Sequence, residues 1–220
     1  MIKDIRVTDT GRVPYLKSYE LQMKFFDNLI SDKEVLGHLI ITEPNPTITK
    51  GIRGEDSEIF ISREEREEKG IELIDIRRGG KVTFHGPGQI VIYPILNLSH
   101  FKKSIKWYIE SLEDVVILTL KELGIKAHKK EGIVGIFTEK GKICAIGVEV
   151  KKWRTLHGIA INHEVDLDYF NNINPCGISS LGVTSILNEG NKIAREDIID
   201  LFKLNFSKIF DVSLKNYNRS

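Results

Sequence analysis

The sequence predicts an α+β protein with a mixed, largely antiparallel β-sheet flanked by helices, most of them on one face. Three observations indicate this fold class. Three long segments have apolar residues at helical spacing, several short apolar runs are typical of strands, and three or four of those runs lie close together between residues 125 and 162. The chain has 220 residues, of which 41% are hydrophobic, which is enough for a sizeable core. We therefore expect a single domain over residues 1–220.

The first half of the chain predicts two helices and three strands. Residues 36–42 form a short apolar run that is typical of a strand. The charged segment 62–69 predicts an exposed helix, because it begins with serine and Glu65 follows three residues later, as in a capping box. Further strands are expected at 71–77 and 89–96. The first helix is indicated by five apolar residues at helical spacing: Leu16, Tyr19, Met23, Phe26 and Ile30.

The second half predicts the longest helix, a group of strands and a closing helix. The longest helix is expected over about residues 104–123, with Gly124 at the position of a helix C-cap. A closing helix is expected over residues 195–209. The core-facing residues of the longest helix are expected to be Trp107, Ile109, Leu112, Val116 and Leu120. The strands between the two helices are expected at 125–128, 133–138, 142–150 and 154–162.

Charge and composition narrow the classes of partner. The chain has 32 Lys and Arg against 31 Asp and Glu, so no net field favours nucleic acid. Charges in the first six residues stand where a signal peptide needs an apolar core, and no apolar stretch is long enough to span a membrane. We therefore expect a cytoplasmic protein with free thiols. The basic clusters Lys102-Lys103-Lys106 and Lys151-Lys152-Arg154 are either docking patches for an acidic protein or solvated surface.

The most informative residue is Cys176, which lies between Pro175 and Gly177. Proline fixes φ and glycine permits unusual backbone conformations, so this pattern indicates a tight loop. A thiol on such a loop is accessible, whereas a structural cysteine usually lies inside a strand or helix. The residues alone leave two interpretations open: a reactive thiol, or a thiol that fills space at a turn.

A glycine-rich segment at residues 77–89 is typical of a ligand-binding loop, because glycine lets backbone N–H groups approach a ligand closely. It is not a Walker loop, since Asp75 stands where the first glycine would be, and G-x-G-x-x-G does not occur. Within this segment, His85 is either a polar contact for a ligand or a hinge residue bonded to its own loop.

The two predicted strands that follow carry further candidates. In the first, alternation places Lys142 on the same face as Cys144, and the lysine is otherwise a solvated strand end. In the second, Gly158 and Ala160 are small residues. Small side chains in a strand leave room for an acyl chain, or for another part of the protein.

Taken together, four motifs resemble the octanoyltransferases of lipoate biosynthesis. They occur in the order of that family and extend over residues 71–185. Cys144 departs from the family pattern, which usually has alanine there, and this raises the prospect of a second reactive thiol. The motifs are Arg78-Gly79-Gly80-x-x-Thr83-x-His85-Gly86-Pro87-Gly88-Gln89, Gly141-Lys142-Ile143 through Gly147, His157-Gly158-Ile159-Ala160-Ile161-Asn162, and Pro175-Cys176-Gly177.

This resemblance implies transfer of an octanoyl group from octanoyl-acyl carrier protein to a lysine of a lipoyl domain, in a 2-oxoacid dehydrogenase or the glycine cleavage H protein. Cys176 would form an acyl-thioester intermediate, with Lys142 as its acid/base partner. The implied fold is that of the biotin and lipoate protein ligases, and no metal, cofactor, nucleic acid or membrane is implied. The implied acyl pocket is lined by Arg78, Gly79, Gly80, Lys81, Val82, Thr83, Phe84, His85, Ala145, Ile146, Gly147, Gly158, Ile159 and Ala160.

Three alternatives remain open at this point. A lipoate–protein ligase shares the fold but needs ATP and a phosphate-binding loop. A lipoyl-domain octanoyl amidotransferase would take its acyl group from another lipoyl-type protein. A non-catalytic acyl-protein-binding module would tolerate the loss of Cys176. Metal chemistry and serine hydrolysis fit poorly, because the cysteines and histidines lack metal-ligand spacing and G-x-S-x-G does not occur.

Overall fold

The computed structural model describes residues 3–31, 36–174 and 182–217. Within these ranges the α-helices are α1 (Tyr15–Ser31), α2 (Arg63–Glu68), α3 (Ile105–Glu122) and α4 (Arg195–Phe210). The strands are β1 (Lys3–Val13), β2 (Gly37–Pro44), β3 (Thr47–Lys50), β4 (Glu72–Asp75), β5 (Val82–His85), β6 (Gln89–Leu96), β7 (His128–Lys130), β8 (Ile133–Phe137), β9 (Lys142–Lys151), β10 (Arg154–Asn162) and β11 (Val212–Asn216).

The strands form a large and a small sheet. Over the described ranges, the large sheet has eight strands in the order β11-β1-β2-β6-β10-β9-β8-β7. Strand β1 is parallel to both of its neighbours, and the pairs from β2 to β7 are antiparallel. The small sheet has the order β4-β3-β5. The predicted mixed, largely antiparallel sheet is therefore confirmed.

Helices cover both faces of the large sheet. In β2, Leu39 and Ile41 pack into the core beneath α3 and α4, whereas Ile40 packs beneath α1. Every residue of β6 is buried, so the large sheet is covered on both faces at this strand. The prediction of helices mainly on one face thus holds for α3 and α4, and α1 lies on the other. In the described part of the chain, no helix is both long and apolar enough to cross a membrane.

The predicted helix ends are confirmed. At the start of α2, Ser62 Oγ accepts a hydrogen bond from the Glu65 N–H at 3.1 Å, and the Ser62 N–H donates to Glu65 Oε2 at 3.0 Å. Together these bonds form a capping box. The N-cap of α3 is Ser104, and Gly124 follows its last turn with a φ of 75°. Glycine favours that conformation because it has no Cβ.

The buried faces of two helices differ from those predicted. In α1, Leu16 and Ile30 are half exposed. In α3, Trp107 and Ile109 are only half-buried, although Leu112 is fully buried as expected. For α1, the reason is that the helix buries polar residues that have partners in the sheet. Apolar spacing alone therefore does not define the inner face of α1. That face consists of Tyr15, Ser18, Leu21, Gln22, Phe25, Phe26 and Leu29.

Some strands were missed or misplaced. Strand β1 was not predicted because its charges obscure a short alternation in which Ile5 and Val7 are buried and Asp4 and Arg6 are exposed. The strand expected at 125–128 was misplaced, since β7 begins at its last residue. The strands predicted at 89–96, 133–138, 142–150 and 154–162 are confirmed to within one residue.

Candidate active site

A cavity of about 510 Å³ lies at the edge of the large sheet, where β8 stops pairing with β9. The last paired residue of β9 on that side is Cys144, opposite Ile136. Beyond it, the glycine-rich loop closes over β9, and the Gly79 N–H donates to the Val148 carbonyl oxygen at 3.0 Å. The predicted site residues that line the cavity are Lys142, Arg78, Gly79, Gly80, Lys81, Val82, Thr83, His85, Ala145, Ile146, Gly147, Gly158, Ile159 and Ala160.

Among the predicted residues that the structure describes, Phe84 does not line the cavity. Its ring is fully buried, stacked on Tyr169 at a centroid distance of 4.6 Å and edge-on to Phe170 at 5.7 Å. Strand alternation explains this position, because Thr83 and His85 point to the opposite face of β5. The placement of Phe84 in the acyl pocket is therefore wrong.

Two of the small residues make room for the protein itself. A Cβ on Gly147 would lie 2.9 Å from the Gly79 carbonyl oxygen and 3.3 Å from Arg78 Cδ. A Cβ on Gly158 would overlap the Ile92 carbonyl oxygen of β6. Of the two interpretations that the sequence left open at Gly158, packing against another part of the protein holds. The close approach at Gly147 is what lets the loop seal the cavity.

Arg78 places a positive charge inside the cavity wall. The residue is 7% exposed, and its Nη2 donates to the carbonyl oxygen and to Oγ1 of Thr49, both at 2.8 Å. Burial, helped by this charge, lowers the pKa of His85 to about 3 and that of His157 to about 4. Both imidazoles are therefore neutral at pH 7 and act as hydrogen-bonding groups, not as cations.

The tautomer of His85 follows from its neighbours. Gln89 Nε2 donates to the Phe84 carbonyl oxygen at 3.1 Å and to Asn162 Oδ1 at 3.0 Å, which fixes the amide orientation. Gln89 Oε1 then faces His85 Nδ1 at 3.2 Å and accepts a hydrogen bond from its N–H. His85 Nε2 is left as an acceptor, so this residue both braces its own loop and offers the cavity a lone pair.

Two residues that line the cavity, Tyr15 and His157, were not among the predicted site residues. Tyr15 stacks on His85 at a centroid distance of 5.7 Å, and burial raises its pKa to about 12. His157 belongs to a recognised motif but was not assigned to the site; its φ is 60° and its ring stacks on Tyr19. A left-handed conformation of this kind costs an L-residue about 1–2 kcal/mol. Only the packing of α1 against the sheet could have identified Tyr15.

Lys142 lies at the wall of the cavity, beside β8. Its Nζ donates to the Val134 carbonyl oxygen at 3.2 Å and lies 5.6 Å from the centroid of the Phe137 ring. Gly135 has a φ of 130°, and a Cβ there would lie 2.6 Å from Lys142 Cε. Gly135 therefore leaves the space that the lysine side chain occupies, although no sequence pattern marked it as a site residue.

Lys142 and Cys144 do not share a face. The register between β8 and β9 shifts from Ile136–Cys144 to Phe137–Lys142, which leaves Ile143 as an extra residue on β9. Such a bulge breaks strict alternation. Ile143 and Cys144 both enter the core beneath α3, whereas Lys142 lines the cavity. The prediction from strand alternation is wrong at this point.

Cys144 is fully buried, and burial strongly raises the pKa of its thiol; the positive charge of Lys142 opposes this only in part. The thiolate is the reactive form, so Cys144 is inert in the folded protein. The idea of a second reactive thiol is therefore not supported. Cys176 lies outside the described residues.

The described residues on both sides of 175–181 are held by hydrogen bonds. Before this segment, the Asn174 N–H donates to the Glu58 carbonyl oxygen at 2.8 Å. After it, the Gly182 carbonyl oxygen accepts from the Lys142 N–H at 2.8 Å, and the Thr184 N–H donates to the Lys142 carbonyl oxygen at 3.0 Å. The main chain that leaves the segment therefore contacts Lys142 directly.

The fold of this chain is similar to that of solved lipoate and biotin protein ligases. The structure of lipoate-protein ligase A bound with ATP has a TM-score of 0.76 at 14% identity, over 100% of this chain and 90% of that chain. Ta0514 of T. acidophilum, a putative lipoate protein ligase with bound lipoic acid, gives 0.75 with the same identity and coverage. The biotin protein ligase of Aquifex aeolicus in complex with biotin and ATP gives 0.52 at 11% identity, over 94% of this chain and 70% of that chain. The fold expected from the motifs is confirmed.

Sequence comparison then defines the family. Residues 14–207 match the Lipoyl protein ligase A/B catalytic domain, and the chain belongs to that family. The octanoyltransferase of Caldanaerobacter subterraneus subsp. tengcongensis is 41% identical over 210 residues, which are 95% of this chain and 91% of the relative. The octanoyltransferase of Thermoanaerobacter sp. is 42% identical over 212 residues, which are 92% of each chain. The resemblance to octanoyltransferases is confirmed.

Proposed function

We propose that this chain is a cytoplasmic, single-domain octanoyltransferase of lipoate biosynthesis. It takes an octanoyl group from octanoyl-acyl carrier protein and joins it to the ε-amino group of a lysine in a lipoyl domain, such as that of a 2-oxoacid dehydrogenase or the glycine cleavage H protein. The observation that carries the proposal is the cavity, which brings Lys142 together with the glycine-rich loop and the small residues of β9 and β10. Two octanoyltransferases that are 41% and 42% identical to it, over 95% and 92% of this chain, support the assignment.

The cavity suits an acyl chain in size and character. Its volume of about 510 Å³ lies within the range of roughly 300–1,000 Å³ that small-molecule sites occupy. Its walls include apolar side chains from β6, β9 and β10, and burial of about six methylenes there would contribute roughly 5 kcal/mol of gross binding free energy. The apolar residues that line it are Val82, Val91, Ile105, Ile109, Ile133, Val134, Ala145, Ile146, Val148, Ile159 and Ala160.

In the first half-reaction, the thiolate of Cys176 attacks the thioester carbonyl carbon of the acylated carrier protein. The bond to the carrier thiol breaks, and the Lys142 ammonium gives its proton to the departing thiolate. Cys176 is assigned as nucleophile from the octanoyltransferase motif that it matches. Its position six residues before Gly182, which is hydrogen-bonded to the main chain of Lys142, supports this role. The ammonium also favours the thiolate form of a nearby thiol.

In the second half-reaction, neutral Lys142 takes a proton from the ammonium group of the acceptor lysine. The free amine attacks the Cys176 thioester, the thiolate leaves, and the second amine proton passes to solvent. The amide product and the starting thiolate–ammonium pair are then in place. One lysine serves both steps, and ping-pong kinetics are expected.

Intact-mass measurement after incubation with octanoyl-acyl carrier protein, without ATP, tests this proposal. We expect one added octanoyl group in the wild type and in Cys144→Ala, which is the matched control for the other thiol. We expect no adduct in Cys176→Ala and a strongly reduced rate in Lys142→Ala. An adduct that persists in Cys176→Ala, or an absolute requirement for ATP, would contradict the mechanism.

A further inference from the structure

The peptide group that joins Val134 to Gly135 lies between two charged side chains. Its carbonyl oxygen accepts a hydrogen bond from Lys142 Nζ at 3.2 Å. Its N–H donates to Glu113 Oε1 at 3.3 Å. Because the C=O and N–H of a trans peptide point in opposite directions, the ammonium and the carboxylate lie on opposite sides of this peptide. We propose that Glu113 is a positioning residue for octanoyl transfer, which acts on Lys142 through this peptide.

Glu113 differs from the other acidic residues nearby on α3. Its side chain is 8% exposed, whereas those of Glu110 and Asp114 are about half exposed. A buried carboxylate is unfavourable unless it is paired and hydrogen-bonded. Two groups meet this need: the Gly135 N–H at Oε1, and Lys129 Nζ at 3.6 Å from Oε2. The carboxylate is thus held in place before it acts on the peptide.

The backbone at Gly135 needs such a constraint. Glycine with a φ of 130° is in a conformation with few steric restrictions on the neighbouring peptide planes. A carboxylate that accepts the N–H selects the orientation in which the Val134 carbonyl points at Lys142. The charged acceptor also polarises the peptide, which strengthens the attraction of its carbonyl oxygen for the ammonium.

This arrangement matters because Lys142 gives and takes a proton in the two half-reactions of the proposed function, on which this inference rests. Its Nζ must occupy the same place in both. Without an oxygen acceptor for the Gly135 N–H at this position, we expect kcat to fall about tenfold, the effect of losing one hydrogen bond to the side chain of residue 113. The KM for either protein substrate should stay within about twofold, because Glu113 is buried and does not line the cavity.

Three variants of α3 test the inference by steady-state kinetics. Glu113→Ala is expected to lose about tenfold in kcat. Glu113→Gln keeps an oxygen acceptor for the Gly135 N–H and is expected to retain most of the activity. Asp114→Asn is the matched control, since Asp114 also pairs with Lys129, at 2.6 Å, and is expected to behave as wild type. A wild-type kcat in folded Glu113→Ala, or an equal loss in Glu113→Gln, would overturn the inference.

Amide hydrogen exchange at Gly135 separates this inference from the proposed function. Glu113→Ala is expected to speed exchange of that amide by about tenfold, while Lys142→Ala leaves it unchanged. Full activity in Lys142→Ala would remove the role of the lysine, yet the exchange result would still report the Glu113 contact. Unchanged exchange in Glu113→Ala would overturn the positioning role whatever the activity of Lys142→Ala.

Discussion

Replacement of Gly135 by alanine is expected to displace Lys142. A Cβ at this position would lie 2.6 Å from Lys142 Cε and 2.7 Å from the Cys144 carbonyl oxygen. The φ of 130° is also unfavourable for any residue with a side chain. Backbone strain of this kind costs about 1–3 kcal/mol. The lysine can swing away, but the Cys144 main chain is fixed in β9, so we expect a loss of about 3 kcal/mol in the free energy of unfolding.

The effect on activity follows from the movement of Nζ. A displacement of about 1 Å at a reacting group lowers a rate roughly 100-fold, so kcat for octanoyl transfer is expected to fall by that factor. The control is Gly124→Ala, where φ is 75° but no heavy atom lies within 4 Å of the added Cβ. That change adds strain of about 1 kcal/mol without a clash, and kcat should stay at the wild-type value.

Urea unfolding, followed by tryptophan fluorescence, and steady-state kinetics at a temperature where each variant is folded would measure the two effects. The double variant Gly135→Ala/Lys142→Ala should regain only a small part of the lost stability, because the contact with the Cys144 carbonyl oxygen and the strain in φ both remain. Equal destabilisation in Gly135→Ala and Gly124→Ala, together with an unchanged kcat, would refute the argument that Gly135 makes room for the lysine.

Three further perturbations address other parts of the molecule. Phe84→Ala should cost about 3–5 kcal/mol of stability and leave KM for octanoyl-carrier protein unchanged, since its ring packs in the core; a large KM change measured on folded protein would contradict this. Alkylation followed by peptide mass analysis should label Cys176 in native protein and Cys144 only after unfolding. Equal labelling of the two cysteines in native protein would contradict the burial of Cys144. Acidification from pH 7 to 5 should destabilise the protein, since burial lowers the pKa of His38 to about 4 and the unfolded state then binds more protons. His38→Phe should reduce this loss of stability by about 1 kcal/mol, as measured by urea unfolding at pH 7 and pH 5. An unaltered pH dependence of the free energy of unfolding would contradict this.

The sequence predicts the sheet better than the helix faces, for a physical reason. Strands such as β6 are continuous apolar runs with turn residues at their ends, so local composition marks them. The inner face of α1 includes Gln22, whose Oε1 accepts from the main-chain N–H of His157, 135 residues away in the chain. No local pattern reports a partner at that distance, and the apolar spacing of α1 therefore indicated a different face.

Two glycines of the motifs that line the cavity admit other parts of the protein. The sequence left two uses open for its small residues: space for a ligand, or packing against another part of the protein. The structure shows that Gly147 admits the Gly79 carbonyl oxygen and Gly158 admits β6. A motif can therefore mark a cavity because its glycines let the walls close, while the ligand occupies space between other residues. Composition does not distinguish these two uses of glycine, since both require only the absence of a Cβ.

The surroundings of Lys142 illustrate what no pattern in one strand can give. Three separate parts of the chain define its place: the bulge at Ile143 turns it out of the core, Gly135 leaves room for it, and Gly182 pairs with its main chain. The bulge also reverses the prediction for Cys144, which moves from a neighbour of the lysine to a buried, inert thiol. If alternation had held, both side chains would have shared one face, and the lysine ammonium would have lain beside Cys144. One extra residue in β9 thus separates Cys144 from Lys142, as the proposed pairing of Lys142 with Cys176 requires.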